Sequence, residues 1–519
     1  MKPKTPAAQV WATYEQCKDY DNILGLGAKV SENERFYRGV QWDGAGGASL
    51  PKPVFNVIRR IINYYSSSIL SSSVAMRFSY SSPFGAGMGK ESSLKYEDAL
   101  NKICEKHWET QRMDELMDDA LHDAAITGDA VAYTYWDPKI KTGQKFSGDF
   151  RTVLLDNTDV FFGCPILRGV KSQPWIIIAA SEEVESLREA AKNSGRPKSE
   201  IELITPEKDK DGFPPLPGEN NRAISLIKLW KNKDNKVMFA KYTKSAVVIP
   251  ETDTGLAEYP ICVLNWTKSK TSWHGEAAVT GLIENQTFIN KAFAMVMKHM
   301  MDTAFSKVVY DGTIISEWTN RVGEAVKVDG PVENVAKVVL PGQLQPGMLE
   351  VIAMAINATK ESMGATETAL GEVKPENTSA ILALQKASSL PLETVKRQFY
   401  RFVEDIGLVW LDFINAYYGN GRLVRVNTKD GEEFLPFEKS PSEGELFDCR
   451  VDVGASSYYS EIAALNTLDN LLSKGLISVT DYLERVPQNI IPKKDELIKE
   501  IAKRNAVDEA PQKREDFVK

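Results

Sequence analysis

The sequence predicts an α+β fold built from several compact regions, and three observations carry that prediction. Long stretches place apolar residues at steps of three, four and seven, the spacing of one helical face. Between them stand short runs rich in Val, Ile, Tyr and Phe, bounded by Gly, Pro, Asn or Asp, which suit strands and turns. The 519 residues exceed one ordinary core, so about three or four regions are expected. With 43% hydrophobic and 26% charged residues, the chain reads as folded and soluble.

In chain order, Gln9 to Ile23 is helical, with Val10, Tyr14 and Cys17 on one side. The glycines from Gly44 to Gly47 make a hinge, and Pro53 opens a helix that turns Val57, Ile61, Tyr64 and Tyr65 inward. Val74 to Tyr80 alternates as a strand does. The loop Phe84 to Lys90 has the glycines of a phosphate cradle in the wrong order. A P-loop needs glycine where Phe84 stands and Ser or Thr where Glu91 stands, so this is a surface loop. One helix is expected from Tyr96 to Thr127, carrying Leu100, Ile103, Met113, Leu116 and Leu121 and stopping at Gly128. Strands follow at Ala130–Trp136, Arg151–Leu155, Val160–Phe162 and Trp175–Ala180, then an amphipathic helix from Glu182 to Asn193. Arg196 to Asn221, rich in Pro, Gly and charge, reads as an exposed loop or insertion. Its Asp209 and Asp211 echo a calcium loop that Pro214 and Pro215 interrupt. Ile224–Trp230 and Val237–Thr243 flank Asn232–Asn235 as a β-hairpin, and Tyr259–Trp266 is a further strand.

The centre of the chain holds two long helical patterns joined by an extended insert. The first, Gly275 to Phe305, aligns Leu282, Ile289, Phe293, Met297, Met300 and Ala304, with nothing inside it to break a helix. In the insert, Lys307–Tyr310, Asp311-Gly312 and Ala325–Val328, punctuated by Pro331, Pro341 and Pro346, predict short strands and turns. The second pattern runs Leu349, Ile352, Ile356, Met363. Gly364 to Ser379 is an acidic, flexible loop, with Glu361, Glu367, Glu372 and Glu376 around or within it against Lys374. A last long helix, Thr378 to Tyr418, has Val395, Phe399, Phe402, Ile406, Trp410 and Phe413 in register, and Pro391 predicts a kink. Arg422–Val426 and Phe447–Val453 read as a strand pair, and Ser460–Lys474 and Val479–Arg485 as helices. The end of the chain, residues 506–519, reads as a disordered tail.

Composition restricts function. The formal charge of −8 offers no basic face of the kind that grips DNA tightly. An acidic chain can still handle DNA by enclosing it, so that repelled phosphates slide, but that requires a ring, which composition does not supply. The five cysteines, Cys17, Cys104, Cys164, Cys262 and Cys449, are odd in number and far apart, which argues for buried free thiols rather than disulfides or zinc. No apolar run reaches the roughly 18 residues a membrane helix needs. Without a leader at Met1 the chain reads as cytoplasmic, and Asn285-Gln-Thr287 should carry no glycan. The four histidines show no metalloprotease spacing, and His107 with Glu109, or His122 with Asp123, stand too close along a helix to share a face. Asp118-Asp119 and Glu404-Asp405 are neighbours on exposed faces, not an acid and base pair. There is no Gly-x-Ser-x-Gly elbow and no dinucleotide fingerprint. The inventory is that of a non-enzymatic scaffold with no catalytic residue, metal or cofactor.

The order of features over most of the chain resembles the portal protein of tailed double-stranded DNA bacteriophages, the head-to-tail connector. The residues that carry the resemblance are Glu34-Arg-Phe-Tyr-Arg-Gly-Val-Gln-Trp42 with Pro53-Val-Phe-Asn56, Ala124-Ala-Ile-Thr-Gly128 before Tyr133-Thr-Tyr-Trp-Asp137, and Asp159-Val-Phe-Phe-Gly163. The helix–insert–helix–loop–helix unit and Val451-Asp-Val-Gly454 leading into Tyr482-Leu-Glu-Arg485 complete it.

The resemblance implies a portal-like α+β chain: an N-terminal wing of helices and small sheets (1–274), an outgoing stem helix (275–306), a small α/β clip (307–347) and a returning stem helix (348–363). A tunnel loop (364–378), a kinked wing helix with strands (379–455) and a helical crown (456–505) follow. It implies a dodecameric ring at one capsid vertex of the virion, assembled in the host cytoplasm, through which double-stranded DNA passes without sequence specificity during packaging and ejection. Implied partners are the terminase large subunit, the head-to-tail adaptor, and the major capsid and scaffolding proteins, with no membrane. Implied channel residues are Glu367, Glu372, Lys374 and Glu376 in the tunnel loop and Lys291, Lys298, Lys360 and Glu361 on the stem, with Asp311, Trp318, Arg321 and Lys327 as docking residues of the clip. Two rival readings stay open. One is a metal-dependent nuclease with acids converging from strands, the other a capsid scaffold or adaptor that forms no channel.

Overall fold

The computed structural model describes residues 5–42, 50–70, 74–80, 90–206, 221–303, 307–315, 327–328, 335–339, 347–365, 390–419, 421–428, 431–437, 447–452, 468–486 and 497. Helices and small antiparallel sheets make up these residues, an α+β fold. The chain divides into a large unit, residues 1–68 and 76–450, and a small one, residues 69–75 and 451–519.

In the large unit, a five-stranded antiparallel sheet takes its strands in chain order: Val160–Phe162, Trp175–Glu183, Arg222–Lys231, Val237–Tyr242 and Val247–Asp253. Helix Pro6–Leu24, opened by the Thr5 side chain and a proline in its first turn, lays Ala7, Val10, Trp11 and Tyr14 on Phe161, Ile177, Leu226 and Tyr242. Burial of each large apolar side chain there stabilises by about 1.5–3 kcal/mol. The predicted hairpin is closed by Asn232, whose Oδ1 accepts from the Asp234 and Lys236 amides, both at 2.9 Å, while Asn235 takes the left-handed conformation (φ 59°). The edge strand Val247–Asp253 was not anticipated. Within the stretch expected as an exposed loop or insertion, Lys198–Ile201 forms a short helix and most side chains up to Leu203 are exposed, but Ile204 packs. Ile204 is 1% exposed among Val184, Leu187 and Val248, and its carbonyl accepts two bonds from Arg188. Residues 207–220, with the calcium-loop echo, lie outside the described residues.

A three-stranded sheet has Asp129–Lys141 at its centre, between Ser147–Leu155 and Ile261–Asn265. Helix Glu393–Tyr417 packs on it and buries Phe399, Phe402, Ile406, Trp410 and Phe413, with the Trp410 indole donating to Thr152 Oγ1 at 2.8 Å. At the end of this helix a buried polar chain forms. The Tyr418 hydroxyl donates to Asp149 at 2.8 Å, so the His107 Nε2–H, 2.7 Å away, must donate to Tyr418. Burial pushes the His107 imidazole down to about 4. Arg422, 6% exposed, stacks over Tyr418 at 3.9 Å and donates to the Gly148 carbonyl.

Further expectations need correction. The helix expected from Tyr96 to Thr127 is two, Lys90–Thr110 and Met113–Thr127, broken at Arg112 with φ 52°. Gln111, just before the break, anchors the helix end to the neighbouring strand: its side chain accepts from the Thr152 amide (2.8 Å) and donates to the Phe150 carbonyl (3.2 Å). The pattern from Gly275 becomes α-helical only at Ile283, after a 3-10 turn Thr280–Leu282, and the helix is described as far as Thr303. Gly275 itself is pressed against Gly128, where a Cβ on either would sit 2.7 Å from the other's carbonyl oxygen. Strand Arg422–Thr428 pairs with the unanticipated Gly431–Phe437, whereas Phe447–Asp452 pairs with Ala75–Tyr80. Lys307–Tyr310 pairs with Ala336–Val339, and Lys327 and Val328 are not in a strand. Pro391 lies in a 3-10 turn, Leu390–Leu392, leading into the long helix, and residues 366–389 on its far side lie outside the described ones.

In the small unit, residues 468–473 are helical and Gly475 (φ 67°) ends that turn. Helix Val479–Arg485 starts on a capping box between Ser478 and Asp481, and Tyr482 donates to Asp469 at 2.7 Å. Residues 506–519, the predicted tail, lie outside the described residues.

Candidate functional site

Helices Ile283–Thr303 and Gly347–Ser362 stand side by side through Ala292, Val296 and Ile352, flanked by Phe293, Met348 and Ile356. The two-stranded ladder Lys307–Tyr310/Ala336–Val339 joins their far ends in sequence. The near end is rooted by polar side chains on a buried face. Gln286, 1% exposed, accepts from the Val57 amide at 2.9 Å and the Ile58 amide at 3.4 Å, and donates to the Phe55 carbonyl at 3.0 Å. It thus caps helix Val57–Ile69 from outside, satisfying first-turn amides that lack a partner within their own helix. Asn290, 2% exposed, accepts from Gln286 and donates to Gln41 at 2.6 Å.

The strand–helix junction below is fixed by Asp129, buried to 2%. Its carboxylate accepts from the Asn265 amide group (2.6 Å), the Gly275 backbone (2.6 Å) and His274 Nδ1 (2.8 Å), which gathers three donors around one buried charge. None of Gln286, Asn290, Asp129 or His274 was singled out by the sequence reading. The available signal was two amide side chains four apart on the same stripe as buried Ile283 and Ile289.

Away from the root the pair loses its cover. Met297, Met300 and Met301 on one helix and Leu349, Val351 and Met354 on the other are 38% to 69% exposed. An apolar surface of this kind on a folded chain marks contact with another chain.

Of the implied channel residues, Lys291 and Glu361 are exposed, and Lys298 pairs with Asp302 at 2.9 Å on the surface. Lys360 is buried to 8%. Asp311 is exposed and accepts from the Thr313 amide and hydroxyl, which holds its carboxyl below the usual range. Lys327 is exposed. Glu367, Glu372, Lys374, Glu376, Trp318 and Arg321 lie outside the described residues. Among the described residues no helix is long and apolar enough to cross a membrane.

An α+β chain rooted by buried polar contacts, with an uncovered apolar helix pair, is a structural protein that works as part of an assembly. A model of the phage P22-like portal protein family matches residues 185–516, and the chain belongs to that family. No curated protein matches it. The family is structural and non-enzymatic, which sets the nuclease reading aside, and its members are oligomeric, capsid-associated components of the virion.

Proposed function

We propose that twelve copies of the chain close into a ring at one capsid vertex, and that double-stranded DNA is packaged and ejected through its channel. In this reading the helix pair is the stem, residues 307–347 are the clip, residues 364–378 the tunnel loop and residues 456–505 the crown. The clip docks the terminase large subunit and later the head-to-tail adaptor, with Asp311, Trp318, Arg321 and Lys327 as its contact residues. The observation that carries the proposal is the apolar face of the helix pair in a chain of the portal family. Twelve such pairs side by side would cover one another and leave their charged positions, Lys291, Lys298 and Glu361, free to line a channel. The excess of acid over base, 71 against 63, suits a passage that must not hold its cargo. Acidic Glu367, Glu372 and Glu376 repeated around a ring would repel phosphates, while Lys374 makes transient contact.

Electron microscopy of the purified chain tests this. The expected outcome is a closed ring with a hole wider than a duplex of about 20 Å, judged from groove dimensions. A chain that stays monomeric or dimeric at high concentration would overturn the ring.

A further inference from the structure

A cavity of about 670 Å³ opens where the returning helix ends and the long helix Glu393–Tyr417 begins. Its floor is apolar: Tyr65 and Trp266, 3% and 5% exposed, lie ring to ring at 5.4 Å. Its rim carries Lys268, Arg397 and Arg401, all exposed, and among the described residues no carboxylate lines it. That is unexpected in a chain with more acids than bases. Among the described residues none of the three cations forms an ion pair. Among the described residues Arg397 donates to the Glu393 carbonyl alone, at 3.4 Å. Asp405 senses Lys268 and Arg401 electrostatically but does not line the cavity, and burial raises its carboxyl above the usual range. Deeper in, Gln398 donates its amide N–H to the Trp266 carbonyl at 3.4 Å, and its buried Oε1 has no hydrogen-bond partner among the described residues.

These features select a ligand. Three cations without a carboxylate call for an anion, and the apolar floor calls for an aliphatic or aromatic group beside it. The orphan Oε1 calls for a donor, because a buried acceptor left unpaired costs about 1–3 kcal/mol. A DNA backbone offers anions but neither an apolar side chain nor an N–H donor. An acidic peptide offers all three: carboxylates for the rim, an apolar side chain for the floor and a backbone N–H for Gln398.

We infer that this cavity receives an acidic, apolar-anchored peptide segment from a neighbouring copy of the chain. The neighbour is the occupant for two reasons. The cavity adjoins the returning helix of the pair whose apolar face a second copy must cover, and the chain's surplus of carboxylates supplies the complementary charge at fixed geometry. The inference rests on the ring proposed above.

The test places benzoylphenylalanine at Thr394, on the cavity wall, in a mixture of isotopically heavy and light full-length subunits, with photocrosslinks mapped by mass spectrometry. The expected result is a heavy–light crosslink to a peptide carrying at least two carboxylates, its yield reduced about tenfold or more by Arg401→Glu and, independently, by Lys268→Glu. Both positions are exposed, so neither reversal threatens the fold. Rings that crosslink only within one chain, to a peptide without carboxylates, or to added 20-base-pair duplex DNA would overturn this inference alone. Failure to form rings at all would overturn the ring and this inference together.

Discussion

His107 carries a charge decision that its burial has already made. Its ring sits against Phe150 at 4.3 Å and donates to Tyr418, and its imidazole titrates near 4 instead of the ordinary 6.5. Below pH 6.5 the unfolded chain therefore takes up a proton that the folded chain refuses until about pH 4. Stability falls as pH falls through that window, by up to about 3 kcal/mol, and is unaffected above it. Asp123 and Asp159 work in the opposite direction, since burial and then like-charged neighbours raise each to about 6. The clean measurement is thus a difference between two proteins that share them. Denaturant unfolding of His107→Gln, which keeps a donor for Tyr418, should show a flatter decline from pH 6.5 to 4 than the natural chain. Parallel curves would mean that His107 is not held neutral. The sequence places His107 on a helix beside Glu109 and favours a solvated or core histidine over a metal ligand, but its hydrogen-bond partner was not legible there. Its partner Tyr418 lies at the other end of the chain, and periodicity carries no information about such pairings.

The helix pair was legible as two helices but not as a surface. The 3.6-residue period found Ile289 and Ile352 in the core, yet it also placed Met297 and Met300 on the inward stripe, where they are 38% and 59% exposed. On the proposed ring a neighbouring copy covers these positions, and periodicity cannot tell such positions from core ones. Met300→Asp together with Met354→Asp puts two charges on that face. Folding stability should change by only about 0.5 kcal/mol per exposed site, whereas the assembled fraction, read by light scattering, should fall about tenfold or more. Normal assembly would remove this face from the subunit contact. The two missed strands share a different cause. Val247–Asp253 contains Pro250, and Gly431–Phe437 contains Pro436, residues that argue against a central strand. Both strands are edges, and Pro250 falls where the register with Val237–Tyr242 slips, so neither proline removes a needed bond.

At the scale of the whole molecule, the order of elements proved more informative than any single motif. No stretch of this chain names its role as a P-loop would, and the family match is what secures the portal identity. On the proposed reading, a net charge of −8 favours a passage that repels DNA over a surface that grips it. What the sequence could not supply was connection across distance. Asp129 binds Gly275, Gln286 caps a helix opened near Pro53, and each link ties segments that pattern reading treats as independent.

The contact between Gly128 and Gly275 is the tightest of those links, and it makes a statement about evolution. Each glycine leaves no room for a methyl group on the other, and Gly128 at φ 106° also takes a backbone conformation that side chains avoid. The two positions therefore cannot drift one at a time, nor can either rescue the other, because enlarging both doubles the clash. In a library of all single substitutions scored for soluble, folded chain, these should be two empty columns, each far from the other in sequence. A viable Gly128→Ala chain would show that the joint between the three-stranded sheet and helix Ile283–Thr303 can slide.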